Sequence, residues 1–203
     1  MNSSPQPDWQ KGAGLLPAIV QDADTQQVLM LGYMNAEALA QTLATKRVTF
    51  FSRSKNRLWV KGESSGHFLD FVSATSDCDN DALLVLAWPN GPTCHRGTCS
   101  CFGESGASGP GFLAQLDRTI AARIASGDEK SYTVRLVREG VQRVAQKVGE
   151  EGVETALAAV AGTNDQLAGE AADLLYHLIV LLHAKGLSLA DALAVLAQRH
   201  QRP

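Results

Sequence analysis

Long apolar runs, a basic excess and scattered cysteines are all missing from this sequence, and each absence argues against a class of protein. The longest apolar stretch, LLYHLIVLLHA, is interrupted by His177 and stops at Lys185. Crossing a bilayer takes about 20 apolar residues, so no membrane span is expected. The opening MNSSPQPDWQKGAG has neither a basic nor an apolar leader region, so no signal peptide is expected. Lys and Arg number 18 against 21 Asp and Glu, a formal charge of -3. That balance argues against a protein built to grip a nucleic acid backbone, although metal ions could still hold a small polyanion. The four cysteines, Cys78, Cys94, Cys99 and Cys101, fall in one short window. Such a cluster points to metal binding or catalysis in a reducing compartment rather than to disulfides. A cytoplasmic protein is therefore expected.

What is present divides in two. Hydrophobic residues make up 45% of 203 residues, enough for one large core or two smaller ones. The stretch FGESGASGPGF, residues 102–112, has the composition of a linker, and the domains are expected to span residues 1–106 and 107–203. Before the linker, LPAIVQDADTQQVLMLGYM reads as strand, turn and strand, and RVTFFSRS, LWVKG, HFLDFVSATS and ALLVLAW read as further strands. NAEALAQTLATK reads as a helix capped by Asn35. This half is expected to be α+β and β-rich. After the linker the apolar period becomes 3.6, with Leu113, Leu116, Ile120 and Ile124 on one face. REGVQRVAQKVGEEGVETALAAVAG, DQLAGEAADLLYHLIVLLHAKG and SLADALAVLAQRHQ, the last capped by Ser188, complete an all-α bundle with apolar faces able to bury against a partner chain.

The segment SDCDNDALLVLAW alternates Asp77, Cys78, Asp79, Asn80 and Asp81. It can be an acidic turn with Cys78 as a small core residue. An EF-hand is excluded, because Ala82 and Trp88 stand where that loop needs glycine and glutamate. If the segment is extended, the three aspartates share one side and Cys78 the other, and three carboxylates together call for a hard cation such as Mg²⁺. In GPTCHRGTCSCFG, Cys94 and Cys101 bracket a glycine-containing turn. With Cys78 they make three ligands, the count of a catalytic zinc with one open position; with Cys99 they make four, a structural zinc. His95, beside a ligand, suits acid/base or substrate contact better than the same ion. SRSKNRLWVKGESSGHF gathers Arg53, Lys55, Arg57 and Lys61, either a phosphate contact or a solvated hairpin edge; His67 follows where a strand resumes. In the second half, Glu150 and Glu154 are i, i+4 with Glu151 offset, and Glu170 and Asp173 are i, i+3. Lys147 lies four residues before Glu151. A solvated acidic face is one reading; a Mg²⁺ cage for pyrophosphate is the other, favoured by the apolar, alanine-rich context.

QDADTQQVLMLGYMNAEAL, SRSKNRLWVKGESSGH, DCDNDALL and CHRGTCSCF resemble the successive motifs of phosphoribosyl-AMP cyclohydrolase of histidine biosynthesis, over residues 15–103. The resemblance implies opening of the adenine ring between N1 and C6 by zinc-activated water. It implies Mg²⁺ on Asp77, Asp79 and Asp81, zinc on Cys78, Cys94 and Cys101, and a homodimer sharing zinc ligands between chains. Cys99 occupies a position that commonly lacks cysteine, and Arg96 replaces a frequent threonine. SYTVRL, QKVGEEGVE and EAADLLYHL resemble phosphoribosyl-ATP pyrophosphohydrolase over about residues 112–200. That resemblance implies Mg²⁺ on Glu150, Glu151, Glu154, Glu170 and Asp173, one of these carboxylates activating water, with Arg143 and Lys147 as phosphate contacts. Together the resemblances imply a bifunctional hydrolase acting on phosphoribosyl-ATP and then on phosphoribosyl-AMP, with no nucleic acid or membrane partner. A nucleotide house-cleaning pyrophosphatase joined to a non-catalytic zinc module is the rival enzyme reading, and a zinc-stabilised adaptor the rival of another class.

Overall fold

The structure, a computed structural model, describes residues 5–103 and 106–200; part of the expected linker, at 104–105, lies outside them. The chain forms two compact units, Met1–Phe112 and Leu113–Pro203.

In the first unit, β1 (Leu16–Asp22) pairs antiparallel with β2 (Val28–Met34) and parallel with β6 (Leu83–Pro89), and β6 pairs antiparallel with β5 (Leu69–Ser76). The sheet order is β2-β1-β6-β5. Leu16, Ala18 and Val20 alternate inward along β1, as period-2 patterning requires. The turn expected at Asp22–Thr25 forms because Asp22 Oδ1 accepts from the backbone N–H of Asp24 (2.9 Å) and Thr25 (3.2 Å). Helix α1 (Ala36–Thr45) starts where expected: Asn35 Oδ1 accepts from Ala38 N at 2.8 Å. A second, two-stranded sheet joins β3 (Thr49–Ser52) to β4 (Arg57–Val60). Phe50 of β3 lies buried against Gly32 of β2, where a Cβ would come within 2.4 Å of its ring.

The second unit is helical throughout its described residues: α2 (Pro110–Ser126, entering the unit at Leu113), α3 (Tyr132–Arg138), α4 (Val141–Ala161), α5 (Asn164–Ala184) and α6 (Leu189–His200). Ile120, Leu136, Val144, Ile179 and Val180 make its core. Leu116 and Ile124 pack beside them, the face expected from their spacing. Helix α3 was not expected. It is short and opens on Tyr-Thr-Val, a poor helical signal, and Gly140 at φ +101° separates it from α4. A capping box starts α5: Gln166 N donates to Thr163 Oγ1 at 3.2 Å and Thr163 N to Gln166 Oε1 at 2.8 Å. By length and mean hydropathy α5 is long and apolar enough to cross a membrane, although its longest apolar run is interrupted by His177. It buries His177, Ile179 and Val180 in the helical unit.

One expectation fails here. Asp77–Ala82 is not extended; it is the turn of the β5–β6 hairpin. Asp77 Oδ1 accepts from Asp81 N (2.9 Å) and Ala82 N (3.0 Å), and Asn80 adopts φ +65°. Side-chain bonds of this kind to the backbone ahead win over strand alternation in an Asp/Asn-rich segment.

Gly32→Ala should destabilise the first unit by about 1–3 kcal/mol through overpacking against Phe50. Urea unfolding followed by the fluorescence of Trp59, which packs on Phe50 with ring centroids 5.6 Å apart, checks this.

Candidate active sites of the two units

The β5–β6 turn gathers Asp77, Asp79 and Asp81, with one carboxylate oxygen from each within 4.8 Å of the others. Two unit charges 4 Å apart repel by about 1 kcal/mol even in water, so a cation would be favoured here. Lys11 supplies part of one: its Nζ lies 3.1 Å from Asp79 Oδ2, and that bond holds the Asp79 carboxyl below its ordinary range. Asp81 is pushed up by desolvation and by its two acidic neighbours. Cys78 is exposed in the same turn, its Sγ 4.0 Å from Asp79 Oδ1; it is not a core residue.

A cavity of about 510 Å³ opens between the glycine-rich turn after β4 and the cysteine loop. Trp59, Lys61, His67, Cys94, His95 and Cys101 line it. Gly91, at φ +98°, lets the His67 ring lie where a Cβ would approach Cδ2 to 2.8 Å. Lys61 is buried; its Nζ donates to the His67 carbonyl at 3.1 Å. Burial lowers its pKa, and the nearby Cys101 and Cys94 sulfurs oppose that. Backbone and side-chain donors from Arg96 and Thr98 bring the Cys94 thiol below its ordinary value, while desolvation raises that of Cys101. Two thiols, two imidazoles and an ammonium group thus meet in one cavity. The cavity brings together Cys94, Cys101, His67, His95 and Lys61 from the predicted site residues. Arg53 and Arg57 lie outside the cavity lining: Arg53 stacks 3.8 Å from the Tyr33 ring centroid and Arg57 pairs with Glu63 at 2.5 Å. Trp59 and Thr93 line the cavity without any sequence signal beyond their neighbours.

Among the described residues, the groups of three or more ligands assembled within one chain are both carboxylate clusters. Cys78 therefore does not complete a cysteine triad with Cys94 and Cys101 inside the single chain.

In the helical unit Glu151 and Glu154 of α4 meet Glu170 of α5, again within 4.8 Å. The acidic face is shifted by one residue from the expected Glu150–Glu154 pair. Glu150 turns instead to Gln146 Nε2 (2.7 Å) and Lys147 Nζ (3.0 Å), which lower its pKa. Asp173 is exposed and outside the group of three. Arg143 pairs with Glu139 at 3.4 Å. Glu151 is only 5% exposed. Lys147 Nζ, 2.8 Å from Glu151 Oε1, is its ion partner, and the two glutamates hold the lysine above its ordinary value. His177 Nδ1 lies 3.6 Å from the same oxygen. Tyr132 and His177 were unassigned in the sequence, although both fall in the SYT and LLYHL motifs.

Each unit thus carries one acidic cluster that could hold a metal ion, and the first adds a cavity lined by thiols and imidazoles. Residues 30–103 match the family model of phosphoribosyl-AMP cyclohydrolase, and residues 113–200 that of phosphoribosyl-ATP pyrophosphohydrolase. The chain is 62% identical over 195 residues to the histidine biosynthesis bifunctional protein HisIE of Xanthomonas axonopodis pv. citri, covering 96% of this chain and 93% of that protein. It is 60% identical over 198 residues to the protein of the same name from Xylella fastidiosa, covering 97% and 94%. For that of Escherichia coli the identity is 57% over 194 residues, covering 96% and 95%. The chain belongs to this family of bifunctional histidine-biosynthesis proteins, a phosphoribosyl-AMP cyclohydrolase followed by a phosphoribosyl-ATP pyrophosphohydrolase.

Desolvation and the charges of Glu151 and Glu170 raise the Glu154 pKa. A carboxyl raised in the folded state makes stability fall as pH rises from the ordinary glutamate value, about 4.3, through the raised one. Glu150, lowered, acts in the opposite sense and below that window. In EDTA, melting of the helical unit should therefore drop with pH across the upper window, and Glu154→Gln should flatten that limb alone. Calorimetry of both proteins against pH checks it.

Proposed function

We infer that this chain carries out two consecutive hydrolyses, with domains taken as residues 1–106 and 107–203. The C-terminal domain releases pyrophosphate from phosphoribosyl-ATP. The N-terminal domain opens the adenine ring of the resulting phosphoribosyl-AMP between N1 and C6. The observation that carries this reading is the pair of distinct sites, a thiol- and imidazole-lined cavity on one unit and a carboxylate cluster on the other, each inside the segment matching one activity.

In the helical domain Glu151, Glu154 and Glu170 would hold Mg²⁺, with Glu150 and Asp173 at the margin. Hard oxygen donors fit that ion, which usually keeps waters and binds through carboxylates and substrate phosphates together. Lys147 sets the charge of Glu150 and Glu151, and Arg143 stands one turn before it, on the approach for a phosphate. A carboxylate of this group is placed to take a proton from the attacking water.

In the N-terminal domain Cys94 and Cys101 would hold zinc, with Cys78 supplied by a second copy. Soft thiolate donors fit that ion, and when bound it supplies a water acidic enough to attack near neutral pH. His67 and His95, in the same cavity, are placed for proton transfer; Lys61 fixes the His67 backbone. Asp77, Asp79 and Asp81 would hold Mg²⁺ beside Cys78, and Arg53 and Arg57 would reach substrate phosphate only by leaving Tyr33 and Glu63. Sharing between copies is supported by the separation of Cys78 from the cavity and by the outer face of the sheet. There Leu31, Ile19 and Leu84 form an exposed row across three paired strands, as a homodimer interface requires. Free cysteines throughout fit a reducing, cytoplasmic setting.

Cys78→Ser and Cys94→Ser should each lose zinc and ring opening while keeping pyrophosphate release. Unfolded and refolded together, the two variants should regain about a quarter of wild-type ring opening, because half of a random mixture is mixed dimer with one intact site. No recovery would place all zinc ligands in one chain.

A further inference from the structure

His177 is 6% exposed and belongs to no part of the chemistry above. Its ring is held at both nitrogens. Nδ1 lies 2.9 Å from the Asp173 carbonyl oxygen and 3.6 Å from Glu151 Oε1. Both are acceptors, so Nδ1 carries a hydrogen whether the ring is neutral or charged. Nε2 lies 3.1 Å from the Tyr132 hydroxyl, which donates to it in the neutral ring. Tyr132 comes from α3, and its ring meets the His177 edge at 6.1 Å and Tyr176 at 6.4 Å between centroids. A second bond, Thr133 Oγ1 to Tyr176 Oη at 2.7 Å, ties the same two helices one residue later on α3 and one earlier on α5. The fully buried Thr133 and the capped, core-packed α5 leave this pair of cross-links little freedom.

Glu151 is the buried member of the carboxylate group, and its neighbours are asymmetric. Lys147 and His177 both approach Oε1. At 3.6 Å the His177 contact is electrostatic rather than a hydrogen bond, and it acts in a largely desolvated place where such a dipole is poorly screened. With Oε1 engaged from two sides, Oε2 is the oxygen left for a cation.

We propose that His177, itself fixed by Tyr132, is a positioning residue that orients Glu151 toward the cation shared with Glu154 and Glu170. The proposal rests on the carboxylates being the metal site. It gives a role to the helix that periodicity did not show: besides burying Leu136 in the core, α3 carries Tyr132 and Thr133 to α5. Groups that orient a metal ligand typically change metal affinity or activity by about 10–100-fold when removed.

Mn²⁺ binding to the full chain, read from the loss of the free-ion electron paramagnetic resonance signal, tests it. The class of sites that disappears in Glu151→Gln defines the helical site. In His177→Leu that class should weaken by about 10–100-fold. Tyr132→Phe should weaken it by a smaller factor, and His177→Asn, which keeps a donor near the Nδ1 position, should stay close to wild type. The Mg²⁺ concentration for half-maximal pyrophosphate release should move in the same order, with the KM for phosphoribosyl-ATP at saturating Mg²⁺ unchanged. Wild-type Mn²⁺ affinity in His177→Leu overturns the proposal. Should that variant melt early, Tyr132→Phe, which removes one hydroxyl from a ring 46% exposed, decides in its place: wild-type affinity there overturns it equally. If Glu151→Gln removes no sites at all, the carboxylate reading itself falls, a result separable from any His177 outcome.

Discussion

Convergence of like charge is the constraint on which both units turn. Three carboxylates with oxygens within 4.8 Å of one another repel unless something positive sits among them, and among the described residues each unit gathers one such group. The two solve the problem differently. In the hairpin turn the group is wet, and a single lysine from the N-terminal segment, Lys11, offsets part of the charge. In the helical unit Glu151 is buried, and an isolated buried carboxylate would be prohibitive. Lys147 on the same helix provides the counter-charge one turn away. Neither lysine neutralises its group. The residual negative charge is what a divalent ion at either cluster would offset.

Two thiols of the N-terminal unit line its cavity, while Cys78 lies in the carboxylate turn. Carboxylates crown the β5–β6 hairpin, whereas Cys94 and Cys101 sit in the cavity with His67, His95 and Lys61. On the proposed reading the carboxylates would take a hard ion and the cavity thiols a softer one. The cavity also explains the glycines flanking it. A side chain at Gly91 would collide with the His67 ring, and one at Gly62 would come within 2.5 Å of the His67 carbonyl oxygen. Both positions have positive φ, so backbone conformation and close approach make the same demand there.

Much of this was legible from residues in order. The strands, the Asp22 turn, the Asn35 cap and the change of period after the linker follow from local chemistry acting on neighbours, and the folded chain keeps them. What was not legible depended on side chains choosing among partners. Alternation placed the aspartates on a strand, but Asp77 can bond the backbone ahead of it and so closes a turn. Helical spacing paired Glu150 with Glu154. Gln146 and Lys147, one turn earlier, claim Glu150 and leave Glu151 to face α5. Helix α3 is too short and too rich in β-branched and aromatic residues to announce itself; its partners lie more than forty residues along, at Tyr176 and His177. The motif residues of SYT and LLYHL were visible, but their mutual contact was not.

The most direct test of two independent metal-supported sites is a product time course on metal-stripped full chain given phosphoribosyl-ATP. With Mg²⁺ alone, pyrophosphate should appear and phosphoribosyl-AMP should accumulate. Adding trace Zn²⁺ should then start formation of the ring-opened product without changing the rate of pyrophosphate release. Ring opening before zinc is added, or pyrophosphate release that waits for it, would contradict the assignment of one chemistry to each unit.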